Sequence, residues 1–142
     1  MTESPRHSVS VAAAIFDKSG DNVLLIKRRD NGNWEPPGGI LELDETIEEG
    51  LRREVREETG AEIEVGPLTG VYKNMTRGIV ALVFRCSLRG TANQESDEAA
   101  LIAWHPLDTV TSLMEGAYSF RLLDARPGKR PISRSHDGHK LL

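Results

Sequence analysis

Ten of the chain's 22 acidic side chains fall between residues 42 and 64, and any fold must find a place for them. A helix fits the middle of this stretch. Thr46 with Glu49 three residues later is a capping box, which satisfies two backbone N–H groups at a helix start. Gly60 supplies a residue able to take the left-handed conformation that ends a helix. On a wheel of about 100° per residue with Ile47 at the origin, Leu51 falls near ~40° and Val55 near ~80°. These three form the apolar stripe that must pack on the rest of the protein. Glu54 and Glu58 fall within about 20° of that origin and Glu57 near about −80°. Two carboxylates therefore lie inside the buried arc and a third at its edge. Glu48, Glu49, Arg52 and Arg56 point away, and Glu48 and Arg52 are spaced to pair as i, i+4 neighbours.

A solvated charged helix would not turn carboxylates inward. Clustered inward carboxylates repel one another and lose hydration. Divalent cations offset both costs. Oxygen ligands, with room for water and phosphate oxygens, suit Mg²⁺, and Mn²⁺ is a workable substitute. Arg53, on the same side as Glu57, is placed either to hold a glutamate in position or to form an ordinary helix ion pair.

The stretch Gly39 to Ala61 resembles the Nudix box, G-x5-E-x7-R-E-U-x-E-E-x-G-U, in which U is a bulky aliphatic residue. Gly39, Glu45, Arg53, Glu54, Val55, Glu57, Glu58 and Gly60 each match. Ala61 is smaller than the usual last residue, a difference of packing rather than chemistry. The approach Trp34-Glu35-Pro36-Pro37-Gly38-Gly39 resembles the segment that precedes the box, and the general layout is similar from about Ser8 to Met114. The resemblance implies an α/β (α+β) fold, the Nudix α/β/α sandwich with a central mixed β-sheet. It implies hydrolysis of a nucleoside diphosphate linked to a second group X. Glu54, Glu57 and Glu58 would hold Mg²⁺, with a carbonyl at Gly38 or Gly39 as a further ligand, and Glu45 and Arg53 would brace the ligands. The general base is a box glutamate, Glu54 or Glu57, in one version of this chemistry. In the other it is a later-loop glutamate, for which Glu98 is the candidate, set against the reading of Glu98 as a solvated loop charge.

At 142 residues, with 38% hydrophobic and 28% charged side chains, the chain reads as one soluble domain with a real core. A net charge of −4 lends no support to a nucleic-acid polymer as partner, since its phosphates want a basic face. The single cysteine, Cys86, lies in an apolar run and reads as a small buried residue, consistent with the cytoplasm. The run Val11 to Phe16 is too short for a membrane or signal segment. The expected divisions are a flexible N-terminus at 1–7, the domain at 8–123 and a basic C-terminal tail at 124–142. From Arg121 onward six Lys and Arg side chains face two aspartates. That segment reads as a mobile tail or as an arm over the acidic cleft.

Along the chain, Ser8 to Phe16, a turn at 17–22 and Val23 to Arg29 read as a strand hairpin. Alternation places Leu25, Lys27 and Arg29 on one face. Arg28 or Arg29, with Arg29 preferred, would reach a substrate phosphate or else end a solvated strand. Trp34 would border the ligand or pack the loop, and Gly38 would let the backbone approach the substrate. Ile40 to Leu43 reads as a short strand. Ala61 to Val65 and Leu68 to Tyr72 read as strands broken at Gly66-Pro67. Ile79 to Leu88 reads as a central strand, and Leu101 to Leu107 as another. Asp108 is expected to cap a last helix from Thr109 to about Met114, with an extension towards Leu123 left open.

The substrate falls into three classes at this stage. One is ADP-ribose or a nucleotide sugar, although the downstream proline that often marks ADP-ribose enzymes is missing between Pro67 and Pro106. A second is an oxidised nucleoside triphosphate such as 8-oxo-dGTP, which the Trp34 to Glu45 segment resembles slightly. The third is a binding module without catalysis, disfavoured because every box glutamate is present. The partner is a small nucleotide diphosphate derivative, with a homodimer open and no membrane expected.

Overall fold

The computed structural model describes residues 3–142 and contains two sheets with three α-helices. The first sheet has five strands in the order β4-β1-β6-β5-β8: Gly38–Ile40, Ser8–Ile15, Ile79–Arg89, Glu62–Asn74 and Ile132–His136. It is mixed, because β1 runs parallel to β6 and β5 parallel to β8, while β4–β1 and β5–β6 are antiparallel. The second, antiparallel sheet has the order β3-β2-β7: Trp34–Glu35, Asn22–Arg28 and Ala99–Pro106. The helices are α1 (Ile47–Thr59), α2 (Val110–Leu113) and α3 (Gly116–Leu123). Of the lead-in expected at 1–7, residues 1 and 2 lie outside the described residues, and 3–7 form neither helix nor strand.

β1 explains the layering. Its side chains alternate between two cores. Val11, Ala13 and Ile15 pack with Leu51 and Val55 of α1 and with Ile63 and Cys86. Ala12 and Ala14 pack with Tyr72, Val83 and Leu122 on the α3 side. A strand buried on both faces needs small side chains where layers approach closely, which accounts for its alanines. β2 divides in the same way, with Leu24 and Ile26 on the α1 side and Val23 and Leu25 on the other. Burying Leu51 and Val55 fully contributes about 2 kcal/mol each before entropic costs.

Several local expectations need correction. β1 and β2 do not form a hairpin. A single bridge, Phe16 to Val23, joins them before they diverge into different sheets, because β1 finds a longer parallel partner in β6. β2 ends at Arg28, and Arg29 lies in the turn beyond it, so the alternation that would align Arg29 with Lys27 does not reach it; the pairing with β7 skips Ala100 at that end. The segment 41–43 is not strand; pairing stops at Ile40 and Leu43 stands fully exposed. Gly66-Pro67 does not interrupt β5, which absorbs them as irregularities between Val65 and Gly70. Asp108 caps nothing: it lies in a 3-10 turn, Leu107–Thr109, and the last helix is two short ones.

The segment after Leu123 is part of the sheet rather than a free tail. β8 pairs with Gly70 to Asn74 of β5. The Tyr72 hydroxyl donates to Asp124 at 2.8 Å, and Arg134 makes two bonds to the same carboxylate at 2.7 and 2.9 Å. His136 is completely buried. No helix among the described residues is long and apolar enough to cross a membrane.

Candidate active site

The α1 boundaries follow from local chemistry. Thr46 accepts from the Glu49 backbone at 3.1 Å, the Glu49 side chain reaches back to the Thr46 N–H at 3.4 Å, and Gly60 closes the helix at φ 72°. Leu51 and Val55 then point into the core and carry Glu58 with them. Glu58 is 2% exposed, Glu54 is half-buried and Glu57 lies at the rim, as the wheel implied. β4 brings the approach segment against this face. The Gly38 N–H donates to Glu58 Oε1 at 2.8 Å. At Gly39 the fit is tight: a Cβ there would lie 2.6 Å from the Glu54 carboxylate. The glycine thus leaves the space that the carboxylate occupies.

Arg53 is the hub of the charges. It donates to both oxygens of Glu45, at 2.7 and 2.9 Å, to Glu54 at 2.9 Å, to Glu57 at 3.3 Å and to the Ile40 carbonyl at 3.2 Å. The Arg53 guanidinium, helped by the Glu42 N–H, holds Glu45 down at about 2. Glu54 and Glu58 go the other way. Burial raises Glu54, the Glu57 and Glu98 charges add to the rise, and Arg53 opposes it. Burial pushes Glu58 up to about 8, with Glu54, Glu35 and Glu98 adding and the Gly38 N–H opposing. Among the described residues Glu58 forms no ion pair, in contrast to Glu45, Glu54 and Glu57, which all share Arg53.

Among the described residues no group of three His, Cys, Asp or Glu side chains is already gathered as a metal cage. The donor chemistry nevertheless fits a hard divalent cation: only carboxylate oxygens, one of them buried without a cation, beside a glycine that makes room.

The remaining predicted residues are spread around this face. Glu98 lies on the loop before β7, near enough for its charge to act on Glu54 and Glu58. Arg29 is tied to that loop by Glu95 and the Ser96 carbonyl. Trp34 is half-buried and stacks edge-on against His105, with ring centroids 4.5 Å apart. It packs the second sheet to the core on the α3 side.

Sequence reasoning missed Glu35. Burial raises it, its partner is Arg28 at 3.1 Å, and its charge is felt at Glu58. Its position between Trp34 and Pro36, in the approach to the box, was the available signal.

Comparison with known proteins agrees with this geometry. The family model described as NUDIX domain matches residues 6–128. A MutT-like protein of Streptomyces ambofaciens is 54% identical over 141 residues, covering 99% of this chain and 91% of the relative. An ADP-ribose pyrophosphatase of Methanocaldococcus jannaschii is 32% identical over 114 residues, covering 75% of this chain and 67% of the relative. The crystal structure of a NUDIX hydrolase from Nitrosomonas europaea superposes with a TM-score of 0.79 at 20% identity, covering 94% of this chain and 82% of the other, and so shares the fold.

Proposed function

The chain belongs to the Nudix family and is a pyrophosphohydrolase, and on that premise we propose that it cleaves the diphosphate bond of a nucleoside diphosphate linked to X, with a divalent cation held on α1. The observation that carries the proposal is Glu58, a buried carboxylate without a cationic partner among the described residues, bonded to the Gly38 N–H and next to Glu54, whose own carboxylate lies against Gly39. Glu54, Glu57 and Glu58 would hold Mg²⁺ or Mn²⁺, together with a carbonyl near Gly39. A bound cation there would neutralise phosphate charge and make coordinated water more acidic.

The protein's own groups supply the rest. Glu45 fixes Arg53, and Arg53 holds Glu54 and Glu57 aligned along the helix. Glu98, whose charge already acts on Glu54 and Glu58, takes a proton from the attacking water. The water oxygen bonds to phosphorus, the bridging P–O bond breaks, and its electron pair leaves on the bridging oxygen. For a diphosphate-linked X the products are a nucleoside monophosphate and phosphorylated X. The similarity to an ADP-ribose pyrophosphatase supports this class. A second reading, pyrophosphate release from an oxidised nucleoside triphosphate, draws on the similarity to a MutT-like protein over almost the whole chain and on the Trp34 to Glu45 segment.

Turnover of ADP-ribose, nucleotide sugars, dinucleoside polyphosphates and normal and oxidised triphosphates, with Mg²⁺, Mn²⁺ or EDTA, tests the proposal. Cation-dependent cleavage lost in Glu57→Gln is the expected result, and released pyrophosphate identifies the triphosphate class. Binding with no turnover of any panel member would favour a non-catalytic module instead.

A further inference from the structure

Arg29 has two chemically distinct uses open to it, and its hydrogen bonds favour one. β2 ends at Arg28, opposite a bulge at Ala100 of β7, so Arg29 leaves the sheet just where the chain passes the loop before β7. Three bonds join Arg29 to that loop. Its backbone N–H donates to the Glu98 carbonyl at 3.0 Å, its Nε to the Ser96 carbonyl at 2.9 Å and its Nη2 to Glu95 Oε2 at 3.1 Å. The loop is itself closed into a turn. The Ser96 N–H reaches the Ala99 carbonyl at 2.9 Å, and the Ala99 N–H reaches Ser96 Oγ at 3.1 Å. Ala99 is fully buried and pairs with Arg28. Asp97 and Glu98 therefore ride on a turn pinned at one end by the sheet and along its side by Arg29.

Nε and Nη2 form the side edge of the guanidinium, the edge that grips a phosphate or carboxylate with two parallel bonds. Here that edge is already committed to the turn. A substrate phosphate could take it only by releasing both loop contacts. The Arg29–Glu95 pair is exposed on both sides and contributes little alone. The bond to the Ser96 carbonyl and the backbone bond to Glu98 add to it and fix where the turn stands.

We propose that Arg29 is a positioning residue for Glu98, holding the 95–98 turn so that the Glu98 carboxylate faces the acidic side of α1, rather than a ligand of substrate phosphate. The proposal rests on the reading of Glu98 as the proton acceptor. Lysine does not replace this arginine, because a compact ammonium on a flexible stem lacks the planar fork that spans a carbonyl and a carboxylate together.

A double-mutant cycle on the full chain, run on whichever substrate the panel identifies, tests it. Glu98→Gln is expected to lower kcat about 100-fold. Arg29→Ala is expected to lower kcat about tenfold with KM within about twofold, and Arg29→Lys to restore only part of the loss. Added to Glu98→Gln, Arg29→Ala is expected to cost nothing further, since the group it positions is already gone. Faster amide exchange at Ala99 in Arg29→Ala is the matching structural readout. A KM rise of tenfold or more with kcat held, or full multiplication of the two losses, would overturn the positioning role. Near-normal turnover in Glu98→Gln would instead remove Glu98 as the base, an outcome readable from that single variant alone.

Discussion

Two carboxylates are buried almost equally in this protein and have opposite fates. Asp124 is 4% exposed and Glu58 is 2% exposed. Burial works to raise both, but at Asp124 the Arg134 guanidinium and the Tyr72 hydroxyl outweigh it and bring the group below its ordinary value. At Glu58 one backbone N–H is the only hydrogen bond it accepts from the described residues, three other carboxylates add to the effect of burial, and the group rises to about 8. A buried carboxylate that is paired in the resting protein holds the fold together. One buried next to like charges costs stability at rest, a cost that a cation bound as in the proposed function would offset.

The strongest way to break this comparison is to remove each charge while keeping its shape. Glu58→Gln is expected to lower kcat with Mg²⁺ about 100-fold or more and to leave the melting temperature unchanged or higher, since it removes repulsion and keeps an acceptor for the Gly38 N–H. Retained activity with a large drop in melting temperature would place Glu58 with the structural carboxylates. Asp124→Asn should do the reverse: a loss of about 2 kcal/mol in denaturant unfolding, below the usual cost of breaking a buried pair because Arg134 keeps some solvent, with kcat within about threefold of wild type.

The pH dependence of that second variant sharpens the contrast. A carboxylate lowered in the folded state stabilises it above the unfolded value near 3.8. That stability is lost as pH falls through the lower folded value, where the native carboxylate takes up its proton. The stability gap between wild type and Asp124→Asn should therefore be full at pH 6 and shrink below about pH 4. A gap that does not change down to pH 3 would mean that Asp124 acts through packing. The smallest effect is expected at Gly39→Ala. Its Cβ must displace the flexible end of Glu54, so kcat should fall about tenfold while unfolding changes little. Unchanged kcat would show that Glu54 has room elsewhere.

The two regions also differed in how far they could be read in advance. The acidic face of α1 was legible because its determinants are local: a cap at Thr46, a stop at Gly60 and the i, i+3, i+4 spacing of Glu54, Glu57 and Glu58. The central place of Ile79 to Leu88 followed from its length and its β-branched residues. Pairing partners were not legible. β1 looked like half of a hairpin because its neighbour in sequence was also a strand, yet it runs beside β6, more than sixty residues away. The segment Ile132–His136 has no apolar alternation to mark it as strand. What places it is an ion pair between Asp124 and Arg134 and a hydroxyl from Tyr72, contacts that exist only once the sheet has formed. Glu35 escaped notice for the same reason, because its burial is a property of the assembled layers.

The parallel pairing of β5 with β8 also has a consequence for the order of assembly. β5 and β6 are neighbours in sequence and can zip together as soon as both have been made. The outer edge of β5 from Gly70 to Asn74 has no partner until Ile132–His136 emerges about sixty residues later. Throughout that interval the nascent protein exposes an unpaired strand edge beside the place that Tyr72 will bury, the kind of surface that recruits other chains. The late segment itself is charged, with Arg130 and Arg134 among its residues, and Arg134 becomes the side chain that fastens the finished edge to Asp124.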